Sequence, residues 1–284
     1  MKRADGVLLR HTDPMYRIAA QVMATRSDSM NMITLDIPLA PIDAYLRQKK
    51  REGHTMSHMA VIMAAYQRMI AEYPAINRFI VNKRAYARNE IAIGMVVLQG
   101  SHTDKANDGT MSKIYLQPDD TIFDVNRRIE EYVEKNRTQA KDNKTEQLIR
   151  KLVAIPGLLR FAVNLLKFMD RHNMLPKSII DASPFHCSMV FTNLASIRTN
   201  HIYHHCYDFG TTSVVVAAGN SREVPKRRSG EIVFDKCMPL GVCMDERICS
   251  GSYFAIAFRR MKQFWSDPSL LETPPETIKP DPEL

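Results

Sequence analysis

Residues 242–271, VCMDERICSGSYFAIAFRRMKQFWSDPSLL, form the stretch around which the rest of the chain is arranged. A polar turn at 245–247 leads to the breaker pair Ser250 and Gly251, and apolar residues then recur at helical spacing. They are Phe254, Ala257, Phe258, Met261 and Trp265. This spacing predicts a helix with one buried face. The hydroxyl of Ser250 can cap its first turn, and Asp267 followed by Pro268 predicts its end.

The same stretch resembles the CoA-dependent acyltransferases, the family that comprises chloramphenicol acetyltransferase and the catalytic domain of the dihydrolipoyl acyltransferases. The oxo-acid dehydrogenase branch of this family carries Asp-His-Arg-x-x-Asp-Gly, then a helix and a tail similar to Leu-x-x-Pro-x-x-Leu. Residues 245–251 read Asp-Glu-Arg-Ile-Cys-Ser-Gly, and the predicted helix ends in WSDPSLL. The frame matches, but Glu246 replaces the family's catalytic histidine, and Ser250 replaces the aspartate that helps orient the site.

Two roles for Glu246 are compatible with this substitution. In the family, the histidine removes a proton from a thiol or hydroxyl as that group attacks the CoA thioester. A carboxylate within hydrogen-bond reach of the acceptor can accept that proton, so Glu246 is a candidate general base. Alternatively, Glu246 only holds the turn, for example by pairing with Arg247 or by capping the helix that starts after Ser250.

Two further segments match the family in the expected order. Residues 72–79, EYPAINRF, resemble its Phe-Pro-x-x-Asn segment between a core helix and a strand. Residues 188–196, SMVFTNLAS, resemble its Thr-Phe-Thr-Ile-Ser-Asn-Leu-Gly. Thr192 falls on the hydroxyl residue that, in the family, hydrogen-bonds the oxyanion from a neighbouring subunit, and threonine supplies the same donor as serine. Without the flanking resemblance, a threonine at a strand end is an equally good interpretation.

A histidine-rich segment lies between residues 196 and 242. It contains His201, His204, His205, Cys206 and Asp208. With Gly210, it is similar to the His-His-x-x-x-Asp-Gly of chloramphenicol acetyltransferase, but the spacing differs and the segment precedes Glu246 by about forty residues. Structural packing is the favoured interpretation, so no metal site is predicted. A functional site lining the acyl pocket, with His204 or His205 as the base, and a zinc site remain alternatives.

Hydrophobic periodicity supplies the remaining elements. Residues 32–37 and 90–98 read as strands, and a helix capped by Ser57 carries an apolar stripe from Met59 to Ile70. With the resemblance, this order implies an α/β (α+β) fold, a chloramphenicol acetyltransferase-like mixed-sheet sandwich flanked by helices. We expect an N-terminal arm at 1–14, one acyltransferase-like domain at 15–272, and a disordered, proline- and acid-rich tail at 273–284.

The domain contains a helical insertion at about 141–184 that the resemblance does not account for. Its residues 148–176, LIRKLVAIPGLLRFAVNLLKFMDRHNMLP, read as two amphipathic helices broken at Pro156 and Gly157. Such a basic pair of helices is able to lie on a membrane surface, but packing on the domain or on a partner subunit is more frequent. We therefore favour packing and do not expect membrane contact.

Composition limits the class of protein. The 284 residues are 45% apolar and 25% charged, which suits a soluble globular domain. The opening residues lack the apolar run of a signal peptide, so a cytoplasmic location is expected. The five cysteines form no CxxC pair, which favours reduced thiols over a disulfide framework. The net charge of +8 can attract the phosphates of CoA, but no aromatic-rich RNA motif or basic recognition helix accompanies it, so nucleic acid is not an expected partner.

The resemblance implies acyl transfer from a CoA thioester to an unknown acceptor, at a site between the subunits of a homotrimer. CoA or acyl-CoA is then a substrate, Thr192 is the oxyanion donor, and Glu246, His204 or His205 is the base; the residues that bind CoA are not assigned. The sequence carries no lipoyl domain, so we do not expect a working dehydrogenase-complex core. The alternatives are a non-catalytic relative that keeps the trimer and binds a CoA-like or acyl ligand, and a membrane-surface or assembly protein that uses the helical insertion.

Overall fold

The structure is a computed structural model that describes residues 3–98, 109–138 and 155–284. The strands are β1 Gly6–Leu8, β2 Met30–Pro38, β3 Arg78–Val81, β4 Arg84–Arg88, β5 Ile91–Leu98, β6 Gly109–Leu116, β7 Met189–Asn193, β8 Val214–Ala218, β9 Arg222–Arg228 and β10 Glu231–Asp245. The helices are α1 Pro14–Val22, α2 Leu39–Arg51, α3 His58–Glu72, α4 Ile122–Thr138, α5 Leu158–Arg171, α6 Lys177–Ala182 and α7 Gly251–Ser266. Short 3-10 helices lie at Pro74–Asn77, Leu194–Ile197 and Pro268–Leu271.

A large mixed sheet forms the centre of the fold. Its strand order is β2-β10-β8-β7-β5-β6, and β9 pairs with the first half of β10. Strand β7 runs parallel to both β5 and β8, whereas the other neighbouring strands are antiparallel. The second half of β10 is paired on both sides, with β2 and with β8. The predicted architecture, a mixed sheet flanked by helices, is confirmed.

One face of this sheet, the helix face, is covered by α3 and α7. Alternate strand residues point into the core on this face, for example Val214 and Val216 of β8. Helix α3 is buried along most of its length because it also contacts α4 and α7. On α7, the apolar residues at helical spacing are all buried, down to Trp265. The helix predicted from the deciding stretch of sequence is therefore confirmed, with its buried face against the sheet and α3.

The opposite face, the strap face, is crossed by residues 201–208, which we call the strap. This extended segment lies directly on the sheet because two positions beneath it are glycine. A Cβ atom added to Gly219 would lie 2.0 Å from the backbone nitrogen of His201, and one added to Gly241 would lie 2.2 Å from the carbonyl oxygen of Ile202. Cys206 of the strap is buried in the same small apolar cluster as strand residues such as Cys243. Larger residues at Gly219 or Gly241 would displace the strap from the sheet.

The N-terminal residues differ from the predicted irregular arm. Gly6–Leu8 form β1, which pairs antiparallel with β4 in a small sheet of order β1-β4-β3. Arg3 and Asp5 are buried, and their side chains form an ion pair with 2.7 Å between Nε and Oδ1. A three-residue strand is too short to produce a detectable alternation in the sequence, so its pairing depends on the position of β4.

The C-terminal residues 273–284 differ from the predicted disordered tail. The carboxylate of Asp281 accepts hydrogen bonds from Nε and Nη2 of Arg78, at 2.6 and 2.5 Å, and both side chains are buried. The backbone nitrogen of Lys279 donates to the carbonyl oxygen of Ala71 in α3. Asp281 and Arg78 are 203 positions apart, so proline and acid content gave no sign that the tail packs on the domain.

Part of the predicted helical insertion lies within the described residues, and positions 141–154 lie outside them. Gly157 has a φ of 80° and precedes α5, so this helix begins at the predicted break. Of the residues in α5 only Asp170 is buried, and large apolar side chains are exposed along the helix. Packing on the domain or on a partner subunit was predicted for this apolar stripe, and the described part of the domain covers little of it. None of the described helices is long and apolar enough to cross a membrane.

Candidate active site

Asp245 and Arg247 form a buried ion pair that fixes the turn after β10. Nε and Nη2 of Arg247 donate to the two carboxylate oxygens of Asp245, at 2.8 and 2.7 Å. Oγ of Ser29 donates to the same carboxylate at 3.0 Å, and Nη1 of Arg247 donates to the carbonyl oxygen of Met23. Buried charges need such partners, because removal from water is otherwise costly. Two of the three side chains of the turn are thus held in the protein interior.

Glu246, between these two residues, is only half-buried. Its backbone nitrogen donates to the carbonyl oxygen of Ser29, and its Oε2 accepts a hydrogen bond of 2.6 Å from Nδ2 of Asn31. Arg247 pairs with Asp245 rather than with Glu246, so the predicted Glu246–Arg247 pair, one of the two ways in which Glu246 was expected to hold the turn, does not form. Within the described ranges, no cation lies at ion-pair distance from Glu246. A hydrogen bond from Asn31 therefore orients the carboxylate of Glu246, and none of the described cations pairs with it.

Helix α7 begins beside the turn with the predicted cap. Oγ of Ser250 accepts a hydrogen bond of 3.1 Å from the backbone nitrogen of Tyr253, which satisfies one free donor of the first turn. The same hydroxyl lies 2.8 Å from Oγ of Ser252. These contacts are with α7, so Ser250 starts the helix and does not orient Glu246 as the aspartate of the resembled motif would.

Thr192 lies at the other end of the sheet. It is half-buried near the end of β7, and its neighbour Phe191 belongs to the core on the helix face, so the Thr192 side chain points to the strap face. The register aligns Thr192 with Ala217 of β8, and Ala217 with Gly241 of β10. Glu246 is five residues beyond Gly241, and two strand spacings separate β7 from β10, which places Thr192 roughly 20 Å from Glu246. A single chain does not bring these two candidate residues together.

The strap carries both candidate histidines. The rings of His204 and His205 stack with centroids 4.9 Å apart, and both contact the ring of Tyr207. His201 packs differently, with its Nε2 3.2 Å from Oγ1 of Thr34 in β2. No group of histidine, cysteine and acidic side chains suited to a metal ion occurs in the described part of the chain. His204 and His205 therefore contact strap residues, and their role as candidate bases stays a prediction.

The end of the strap and the loop before β2 support the turn, and sequence reasoning did not assign this role. Asp208 of the strap accepts hydrogen bonds from the backbone nitrogens of Arg26 and Ser27, at 2.9 and 3.1 Å. The buried Arg26 donates to the carbonyl oxygen of Ile80, and its Nε lies 3.9 Å from Oδ2 of Asp245. Burial lowers the pKa of the Arg26 guanidinium, and the charge of Asp245 opposes that shift. The only available signal was the polar cluster that contains Asp208, because its partners lie 181 and 182 positions away.

Solved structures share this arrangement of strands and helices. A scan against protein-family models gives no match, and neither does a comparison with curated protein sequences. The probable dihydrolipoamide acetyltransferase of Listeria monocytogenes superimposes with a TM-score of 0.57 at 13% identity, covering 89% of this chain and 92% of that one. The cubic core of the pyruvate dehydrogenase multienzyme complex gives 0.59 at 12% identity, covering 90% and 89%. The chain has a chloramphenicol acetyltransferase-like fold.

A chloramphenicol acetyltransferase structure itself matches with a TM-score of 0.54 at 11% identity, covering 92% of this chain and 99% of that one. The three structures cover between 89% and 92% of this chain, so the shared fold is not confined to one motif. At this identity the likeness establishes the fold alone, because one fold supports many chemistries. The resemblance in fold that residues 72–79, 188–196 and 242–271 predicted is confirmed, and the chemistry has to be inferred from the site.

Proposed function

We propose that the protein transfers an acyl group from a CoA thioester to an acceptor at a site shared by two subunits, with Glu246 as general base and Thr192 as oxyanion donor. The observation that carries this proposal is the state of the turn after β10. Asp245 and Arg247 satisfy each other in the interior, whereas the carboxylate of Glu246 is held in place by Asn31 and has no described cation beside it. A positioned, accessible acceptor of protons is what general-base catalysis needs.

The shared site follows from the separation of the two residues. Thr192 and Glu246 are at opposite ends of the sheet, so only a second copy can place one beside the other. The hairpin of β9 and β10 offers an apolar contact for that copy, because Ile232 and Phe234 on it are largely exposed. One of the structures with this fold is an assembled cubic core. We therefore expect a homotrimer in which each interface contains one Glu246 and one Thr192.

In this proposal the acceptor thiol or hydroxyl gives its proton to the Glu246 carboxylate while its sulfur or oxygen attacks the thioester carbonyl. The hydroxyl of Thr192 donates a hydrogen bond to the resulting oxyanion. Collapse of the tetrahedral intermediate releases the acyl product and the CoA thiolate, which receives the proton from Glu246. CoA is a substrate in this scheme. The net charge of +8 favours the approach of its phosphates.

The decisive test uses two variants that are inactive for different reasons. Glu246→Gln keeps the size of the side chain but cannot accept the proton, so thiol release from acyl-CoAs should fall about a hundred- to ten-thousand-fold. Thr192→Ala should lower it about a hundred- to a thousand-fold through loss of the oxyanion donor. Glu276→Gln, in an exposed part of the C-terminal segment, is the control that should keep full activity.

Co-expression of the two variant chains then tests the shared site. In a mixed trimer, about a quarter of the interfaces join an intact Glu246 to an intact Thr192, so activity should recover toward that fraction. Recovery requires that the residues come from different chains. Full turnover by Glu246→Gln would eliminate the carboxylate as the base, and an absence of recovery in mixed trimers would eliminate the shared site.

A second function is favoured by one contact in the same site. Asn31 already occupies Oε2 of Glu246, which leaves one carboxylate oxygen for an acceptor and is compatible with a relative that binds a CoA-like or acyl ligand without turnover. Calorimetry with CoA and acetyl-CoA separates the two proposals. Binding of either ligand, together with no thiol release from a panel of thioesters, would support the non-catalytic protein.

A further inference from the structure

Helix α5 exposes an unusually large apolar surface for a helix of a folded domain. Phe161, Leu165 and Phe168 are 65%, 45% and 54% exposed, and they share one side of the helix at a spacing of three to four residues. Leu159 and Val163 are exposed as well. A rotation of about 100° per residue places Arg160, Lys167 and Arg171 together on the remaining side of the helix. Helix α5 is therefore amphipathic, with a broad apolar side and a basic edge.

A basic cavity of about 410 Å³ lies at the C-terminal end of this helix. Lys167 and Arg171 of α5 line it together with Lys83, from the turn between β3 and β4. In the part of the chain that the structure describes, none of these three cations has an acidic partner at ion-pair distance. Arg26 and Arg247 also line the cavity. Five cationic side chains thus surround one opening.

The acidic residues of the cavity do not neutralise these cations. Asp170 binds Nη2 of Arg3 at 2.7 Å and lies 3.3 Å from Nε2 of His186. Burial by itself raises the pKa of the Asp170 carboxyl, but His186 and Arg3 lower it to about 2. The carboxylate of Asp208 is occupied by the backbone nitrogens of Arg26 and Ser27. Lys83, Lys167 and Arg171 are left as positive charges facing the opening.

We propose that α5 and this cavity bind the surface of an anionic phospholipid bilayer. The apolar side of α5 would enter the boundary between headgroups and acyl chains, while Lys83, Lys167 and Arg171 meet lipid phosphates. Apolar insertion and attraction of basic residues to anionic lipids are the two contributions that hold amphipathic helices on membranes. Met15, Ile18 and Val22 of α1 are exposed as well, and Nζ of Lys83 donates a hydrogen bond to the carbonyl oxygen of Gln21 in that helix.

Charge complementarity favours a lipid surface over a twofold contact between two copies of the chain. In a twofold contact the same patch faces itself, so Lys167 and Arg171 of one copy would approach those of the other. Like charges brought together in this way are destabilising, whereas an anionic bilayer supplies the opposite charge over the whole patch. The side chains proposed to meet the bilayer, those of α5 and Lys83, have no part in the proposed acyl transfer, so this proposal does not depend on that activity.

The test is co-sedimentation of the full chain with vesicles. We expect the chain to bind phosphatidylcholine vesicles that contain about 30% phosphatidylglycerol. Binding to vesicles of phosphatidylcholine alone should be much weaker, and binding to the anionic vesicles should weaken as the salt concentration is raised. Phe161→Ser with Phe168→Ser should lower the partition coefficient at least about tenfold. Lys167→Glu with Arg171→Glu should lower it by a similar factor on anionic vesicles only.

Matched changes on α7 and on the 3-10 helix that follows it serve as controls. Arg259→Glu with Lys262→Glu alters the net charge of the protein by the same amount on another exposed helical face, and Ile256→Ser with Leu270→Ser removes exposed apolar groups elsewhere. These controls should bind vesicles as the parent chain does. The proposal is overturned if the parent chain does not sediment with anionic vesicles, if these control variants lose binding equally, or if the phenylalanine variants change only the molar mass in solution.

Discussion

The chain stabilises the two ends of the large sheet to different extents. At the Glu246 end, the turn is held by the Asp245–Arg247 pair, by Ser29 and by the loop that Asp208 anchors. At the Thr192 end, β7 runs into a short 3-10 helix, and residues 196–200 are exposed. The chain therefore completes one half of the candidate site by itself and leaves the other half open. The exposed surface at the Thr192 end leaves space for a neighbouring subunit to place its own residues beside Thr192.

The largest expected effect on stability comes from removing the buried ion pair at the Glu246 end of the sheet. Arg247→Ala leaves the buried Asp245 carboxylate without its main partner, so the free energy of unfolding should fall by about 3 to 5 kcal/mol. Denaturant titration followed by circular dichroism measures it. Glu246→Ala is the neighbouring control and should cost below about 1 kcal/mol, because its side chain is half-buried and makes one side-chain hydrogen bond. Equal losses in both variants would show that the turn is not organised by the buried pair.

A smaller effect is expected where the strap crosses the sheet between the two ends. In Gly241→Ala the added methyl group would meet the carbonyl oxygen of Ile202, so the strap has to move and stability should fall by about 1 to 3 kcal/mol. Hydrogen exchange of the amide of Asn220, which donates to the carbonyl oxygen of Thr199 just before the strap, should become faster.

Gly251→Ala is the matched control, because no heavy atom lies within 4 Å of its added Cβ and the position begins α7. It should be neutral or stabilising by up to about 1 kcal/mol. A Gly241→Ala variant as stable as the parent, with unchanged exchange at Asn220, would show that the strap is not seated on β10.

The smallest effect concerns the cap beside the turn. Ser250→Ala removes the acceptor for the backbone nitrogen of Tyr253, so stability should fall by about 1 kcal/mol while the ligand affinity of the site is retained. Ser266→Ala, at the last residue of the same helix, should change the melting temperature less. A large loss of acyl transfer in Ser250→Ala, with little change in stability, would instead assign Ser250 a direct role in the site.

The sequence by itself determined the elements whose signals are local. The apolar spacing from Phe254 to Trp265, the cap at Ser250 and the break at Gly157 each lie within a few residues, because helix hydrogen bonds and caps join positions three or four apart. The mixed-sheet fold came from the resemblance of residues 72–79, 188–196 and 242–271, in that order, to a known family. The same reasoning identified Glu246 and Thr192 as candidates, since it needed only their alignment with a resembled motif.

Only the tertiary structure decided how those candidates relate. The distance between Thr192 and Glu246 depends on the register of three strands, and the partner of Arg247 depends on which carboxylate is buried beside it. The ordered packing of the C-terminal residues depends on the ion pair between Asp281 and Arg78. The exposure of α5 depends on how the other described residues pack around it. Periodicity shows that a side chain is apolar or charged, but a tertiary hydrogen bond joins residues as far apart as Met23 and Arg247, which are separated by 224 positions. Packing of the whole chain selects such contacts, and no local pattern encodes them.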